Sequence, residues 1–99
     1  MEQYCEVIVD IAHANVDRLF TYRVPSETGA VAGSHVLVPF GAGNRAREGF
    51  VIRVFDEIGL PVRDESEPAV VYKDVLRLIE PYPILNDEQI ELAYWMQHS

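Results

Sequence analysis

Apolar and polar residues alternate with a period of two over most of this chain, and clusters of glycine, proline and acidic residues break the alternation at short intervals. That period puts one set of side chains on one side of an extended strand, so it predicts short strands each buried on a single face. From Tyr4 to Ala12, Cys5, Val7, Val9 and Ile11 share a face, with Glu6 and Asp10 opposite. A second strand is expected over Phe20–Val24, stopped by Pro25 and followed by a turn-rich stretch, Ser26–Gly33, where Gly29 and Gly33 free the backbone. The third, His35–Phe40, sets Val36, Val38 and Phe40 on one face and runs into the loop Gly41–Arg45. The fourth and longest is expected over Glu48–Ile58, with Phe50, Ile52, Val54 and Ile58 together and Arg53 and Glu57 opposite. The stretch Gly59–Pro68, with its run Asp64-Glu65-Ser66-Glu67, is a solvated loop. A fifth strand is expected over Ala69–Ile79, with Val70, Tyr72, Leu76 and Leu78 on one face and a bend at Lys73–Asp74.

The last segment changes period. Asn86 can cap a helix while Gln89, three residues on, reaches back to it, and Asp87 and Glu88 in the first turn suit the helix dipole. Leu85 and Ile90 stand where a hydrophobic staple places them, and Ile90, Ala93, Tyr94 and Trp95 form an apolar side expected to close the end of a barrel. The expected fold class is therefore mainly β: a small OB-like or half-open β-barrel of about five to six strands with a C-terminal helix. Residues 1–85 are expected to form the barrel, and 86–99 a closing helix that leads into the rest of a longer protein.

Composition narrows the function classes. A chain of 99 residues supports one core, and its 48% apolar content is enough to pack one. No stretch approaches the roughly 20 apolar residues of a membrane helix, and the N-terminal residues lack the basic region and apolar run of a signal peptide. The single cysteine, Cys5, falls in a strand pattern and is expected to be a buried, inert thiol in a cytoplasmic protein. Eight basic against sixteen acidic residues give a net charge of -8. A broad phosphate-binding face is thereby excluded, since such faces depend on many cations displacing counterions. Any nucleic-acid contact has to be local.

Catalytic sets are absent from the pattern. His13, His35 and His98 are scattered, one cysteine does not complete a zinc site with them, and Gly41-Ala42-Gly43 lacks the Lys-Ser/Thr of a phosphate-binding loop. The acidic residues fall in loops and at outward strand positions, so no catalysis and no cofactor are expected of this chain.

Five segments taken in order carry a resemblance. They are Phe20-Thr21-Tyr22, Val38-Pro39-Phe40-Gly41, Arg47-Glu48-Gly49-Phe50-Val51, Tyr72-Lys73-Asp74-Val75, and the helix opened by Leu85-Asn86-Asp87-Glu88-Gln89 and closed by Tyr94-Trp95-Met96. In this order and spacing they resemble the N-terminal, 3′ DNA-end-binding domain of the primosomal protein N′ (PriA) helicases, over nearly the whole chain. The resemblance implies a domain that recognises the 3′-OH terminal nucleotide of the nascent leading strand at a stalled replication fork, and a monomer is expected because no strand is long, flat and apolar enough to pair externally. The resemblance also implies a parent ATP-dependent 3′-5′ DNA helicase that uses ATP, Mg and Zn outside this chain. Its partners are the DNA 3′ end, the other helicase domains and primosome proteins.

The family's pocket maps by motif onto Phe20, Thr21, Gly41 and Lys73. Where the family carries an Asp that holds the terminal base, this chain has Thr21, whose hydroxyl is shorter and uncharged. Buried backbone groups select a free 3′-OH, Gly41 admits close approach, Lys73 neutralises one phosphate and Phe20 offers an apolar wall. Without the resemblance, Phe20, Tyr22, Val38 and Phe40 are core residues and Gly41 is a turn glycine. Lys73 is then a surface residue that pairs with Asp74 for under ~1 kcal/mol. The alternative function is a small β-barrel that docks onto proteins through its aromatic and acidic surface and binds no DNA end.

Overall fold

The computed structural model describes residues 2–9, 18–62, 64–66, 68 and 70–98. The period-two segments pair as predicted into one antiparallel sheet of β1 (Gln3–Val9), β2 (Arg18–Val24), β3 (His35–Phe40), β4 (Arg45–Asp56) and β5 (Arg77–Leu78), in the spatial order β2-β1-β4-β3-β5. The single α-helix among the described residues, α1, spans Asp87–His98. The fold is mainly β, in the open form of the expected architecture. The expected continuation of β1 through Asp10, Ile11 and Ala12 lies outside the described residues, as does His13.

One face of the sheet forms the core. Cys5, Val7 and Val9 of β1, Tyr22 and Val24 of β2, Val36 and Val38 of β3 and Val51 of β4 are buried, joined by Ala30 and Val75. Each buried valine is worth about 1.5–3 kcal/mol against exposure, so the alternation that predicted the strands also holds them together. Burial pushes the Cys5 thiol up to about 12, which makes it the inert group expected.

Gly49 is fixed by a close approach of β1: a Cβ there would sit 2.6 Å from Val7 Cγ1 and 2.7 Å from the Ile8 carbonyl oxygen. Gly33, at φ +92°, is a junction. Its N–H donates to Val51, and its carbonyl accepts from Ile84 at 2.8 Å and Leu85 at 3.1 Å. A Cβ at Gly33 would lie 2.4 Å from the Leu85 oxygen, so no other residue lets the chain entering α1 dock here.

Four expectations are corrected. β4 begins at Arg45 because the ladder with β3 resumes directly after the turn, Phe40 facing Arg45. It stops at Asp56 because that carboxylate accepts from Ile58 N–H (3.0 Å) and opens a 3-10 turn, Glu57–Gly59. The shared face of Phe50, Ile52 and Val54 does not form. Glu6 faces Arg53 and Val7 faces Val51, so Ile52 is an extra residue in a β-bulge. The bulge buries both Val51 and Ile52 and turns Phe50 to the other face, where it stacks on His35 at 4.6 Å. His35 there joins Glu48 and Glu80 through its two ring nitrogens.

The long fifth strand is reduced to Arg77–Leu78 and a single parallel bridge between Arg23 and Asp74. Its buried residue is Val75, while Leu76 is exposed. The helix cap forms as predicted, Asn86 N–H to Gln89 at 2.9 Å and Gln89 N–H to Asn86 at 2.8 Å. Its expected apolar side is only partly covered and the sheet stays open: Ile90 and Ala93 are half-buried, whereas Tyr94 is exposed and Trp95 is 69% exposed.

Candidate nucleic-acid interface

β2 and β3 stand apart in the sheet order, yet the Phe20 and Phe40 rings meet edge to face with centroids 5.0 Å apart. The sheet is therefore curled, and the Tyr22 hydroxyl fastens the curl by donating to the Pro39 carbonyl at 2.8 Å. Desolvation pushes the Tyr22 hydroxyl up to about 12, so it stays a donor. Residues 70–76 cross the remaining gap as a strap between the two sides. Arg23 N–H donates to the Lys73 carbonyl (2.8 Å), Val75 N–H to the Arg23 carbonyl (2.9 Å) and Leu76 N–H to the Leu37 carbonyl (2.8 Å).

Between the curled sheet and the strap lies a groove of about 490 Å³. It is lined by Leu19–Tyr22 from β2, Pro39–Gly41 from the end of β3, and Val70–Lys73 from the strap. All four residues singled out in the sequence, Phe20, Thr21, Gly41 and Lys73, line it. Its surface is mostly apolar, with Phe20, Phe40, Val70 and Val71 as walls, and Val71 is 88% exposed. Lys73 reaches across the mouth and donates from Nζ to the Gly41 carbonyl at 2.8 Å. That carbonyl also accepts from Asn44 N–H (3.1 Å). Gly41 sits at φ +74° in the turn between β3 and β4, and a Cβ there would meet nothing within 4 Å. Backbone conformation, rather than crowding, calls for glycine at this point.

The polar groups of the groove come from the edge of β2. Backbone groups of alternate residues in a strand point the same way. Arg23 turns its N–H and C=O outward to the strap, so Thr21 and Leu19 turn theirs outward as well. At Thr21 those groups face the groove, and neither they nor the hydroxyl has a partner among the described residues. One donor, one acceptor and a hydroxyl thus stand beside the Lys73 ammonium in an apolar slot.

The ion pair expected between Lys73 and Asp74 does not form. Asp74 instead takes a bidentate contact from Arg23, Nε to Oδ1 at 2.6 Å and Nη2 to Oδ2 at 2.9 Å, and Arg23 Nη1 reaches Glu2 at 3.2 Å. The Arg23 hydrogen bonds hold the Asp74 carboxyl below the usual carboxylate range. Sequence reasoning missed Arg23 because its partner lies 51 positions away and no local pattern joins them. Tyr72 packs edge-on against Tyr4 at 5.4 Å and steadies the strap from behind. Among the described residues no cluster of His, Cys, Asp or Glu could hold a metal ion, and no helix is long and apolar enough to cross a membrane.

The groove is a small, mostly apolar slot that brings one ammonium beside edge peptide groups of Thr21 without a partner among the described residues. A family model described as a 3′DNA-binding domain (3′BD), of the PriA proteins, matches residues 6–99. The chain belongs to that family. It is 35% identical over 95 residues to the replication restart protein PriA of Bacillus subtilis (strain 168), an alignment covering 94% of this chain and 11% of the relative. It is 31% identical over 100 residues to the replication restart protein PriA of Treponema pallidum (strain Nichols), covering 99% of this chain and 14% of the relative. The chain thus spans about a tenth to a seventh of the length of these relatives. No solved structure matches it significantly.

Proposed function

We propose that the groove receives the 3′-terminal nucleotide of a nascent leading strand at a stalled replication fork. The observation that carries this reading is the convergence of Phe20, Thr21, Gly41 and Lys73 on one slot whose β2 wall presents peptide groups without a partner among the described residues. A free 3′-OH can bond both ways with the Thr21 peptide edge, whereas a 3′-phosphate or a continuing strand brings bulk and negative charge into an apolar slot. Lys73 has three donors and gives one to Gly41, which leaves others for the phosphate on the 5′ side of the terminal sugar. Phe20 and Phe40 offer the base an apolar wall, and the Thr21 hydroxyl replaces a charged base contact with a neutral one.

In this reading the domain is a monomer in the cytoplasm and part of a longer ATP-dependent DNA helicase that restarts replication. ATP, Mg and Zn belong to the other domains, and primosome proteins are partners of the whole. A fluorescence-anisotropy titration of one oligonucleotide ending in 3′-OH, against the same strand ending in 3′-phosphate, tests the reading. Preference for the hydroxyl, lost on Lys73→Ala, is expected. Equal or absent binding overturns it in favour of a protein-docking module.

A further inference from the structure

The acidic excess of this chain makes every cation without an acidic partner conspicuous. Arg23 is held by Asp74 and Glu2, and Arg53 is paired with Glu6 and lies over the Phe55 ring. Lys73 bonds Gly41, and Arg77 donates to the Leu78 carbonyl at 3.1 Å. The side chains of Arg45 and Arg47 have no ion pair or hydrogen bond among the described residues. Arg47 Nε is moreover buried and unsatisfied. A buried donor without a partner keeps the full penalty of its lost hydration, so such a group in a folded domain calls for an explanation.

Register gives one. Arg45 stands directly opposite Phe40 and Arg47 directly opposite Val38 in the β3–β4 ladder. Directly opposed residues share a face with Cβ atoms about 4.5–5.5 Å apart, so both arginines lie on the concave, core-side face beside the aromatic wall of the groove. They are two residues apart on one strand, so their Cα atoms are about 7 Å apart. That separation lets each guanidinium take its own phosphate of an extended strand. Lys73 approaches Phe40 from the strap on one flank, while Arg45 and Arg47 lie on the other.

We infer that Arg45 and Arg47 form a phosphodiester-binding patch for the nucleotides that precede the terminus, which crosses from the groove over Phe40 onto β4. The inference rests on the reading of the groove as the terminal-nucleotide site. It extends that site from one nucleotide to a short track. Arginine suits the task because its planar fork meets phosphate oxygens two at a time and stays charged. With Lys73 the track neutralises about three phosphates, so log K should fall with log salt at a slope of about −2. That is far shallower than for a broad basic face, in keeping with a net charge of -8.

The test is an anisotropy titration of the 99-residue chain over a salt series, with a labelled 3′-OH strand of about eight nucleotides, within the range a small β-fold covers. Arg45→Ala and Arg47→Gln are each expected to make the slope shallower by about 0.7. The preference for 3′-OH over 3′-phosphate should stay as in the wild type. Neutral methylphosphonate linkages at the two positions before the last phosphate should erase the difference between wild type and variants. Arg45 is exposed, so its variant reports even if the Arg47 variant unfolds. Arg77→Ala, on β5, serves as the control. A slope unchanged by Arg45→Ala, or changed as much by Arg77→Ala, overturns the patch. An arginine-dependent slope with no hydroxyl preference in the wild type leaves the patch standing and removes the end reading instead.

Discussion

The two walls of the groove are secured in different ways. The β2 and β3 side belongs to ladders, with β1 paired to β2 from Gln3 to Val9 and β3 paired to β4 from His35 to Phe40, over a core of valines. The strap side, residues 70–76, hangs on Arg23, Leu37 and Gly41, with Val75 as its buried anchor. In the ladder the free energy is spread over many bonds, so no single side chain governs it. In the strap it is gathered at Arg23, whose backbone and guanidinium both hold the segment. A wall of the second kind can be loosened without unfolding the first.

Raising the pH should break the ladder side with the largest effect. The Cys5 thiol is pushed by burial from 9.0 to about 12. A raised value in the fold means that the contribution is complete below pH 9 and is lost as pH climbs toward 12, because the unfolded chain ionises first. Over the whole window this amounts to something on the order of 4 kcal/mol. Denaturant midpoints should therefore drop steadily above about pH 9, with Tyr22 adding to the fall from pH 10 upward. Cys5→Val should remove the part that begins earliest, and a wild-type midpoint level across that range would contradict the account.

Next in size is Gly49→Ala, which drives a methyl into Val7 and the Ile8 carbonyl. Overpacking of this kind costs roughly 1–3 kcal/mol, which thermal unfolding would register as a drop of several degrees. Molecules that remain folded should keep their 3′-end preference, since the strap is untouched.

The smallest effect on stability is expected from Asp74→Asn, where a partly exposed ion pair is lost for under about 1 kcal/mol. Here the binding readout should move more than the stability. The strap carrying Lys73 loosens, and hydroxyl preference weakens while the melting curve barely shifts. The Asp74 carboxyl is held below its ordinary value by Arg23, so the pair's contribution is present above about pH 4 and fades as pH falls through the depressed value. An Asp74→Asn domain with wild-type end preference would mean that Arg23 positions nothing.

The same contrast explains what could be read from the residues alone. His35–Phe40 was predicted to the residue because alternation and the Pro39-Phe40-Gly41 end coincide. The reciprocal cap of Asn86 and Gln89 is a local rule and formed as such. β4 misled because the bulge at Ile52 shifts the phase of an otherwise regular alternation. The strap misled for a different reason: Val70, Tyr72 and Leu76 alternate like a strand, but Val70 and Tyr72 wall a groove and only Leu76 bonds a neighbouring strand, at the Leu37 carbonyl. Phe20, Thr21, Gly41 and Lys73 converge in space although no spacing in the chain brings them together. The family resemblance supplied that grouping, while Arg23, Arg45 and Arg47 needed the register.

A sheet with unpaired edges is a template for adding strands, and soluble proteins guard such edges. This sheet ends on one side at β5, only two residues long, and on the other at β2, where the strap occupies Arg23. Among the described residues the short peptide edge of β2 at Leu19 and Thr21, inside the groove, has no partner. An extended polypeptide seeking to aggregate and a nucleotide seeking its site would then compete for the same few atoms. Saturating the domain with DNA ends should also slow its self-association.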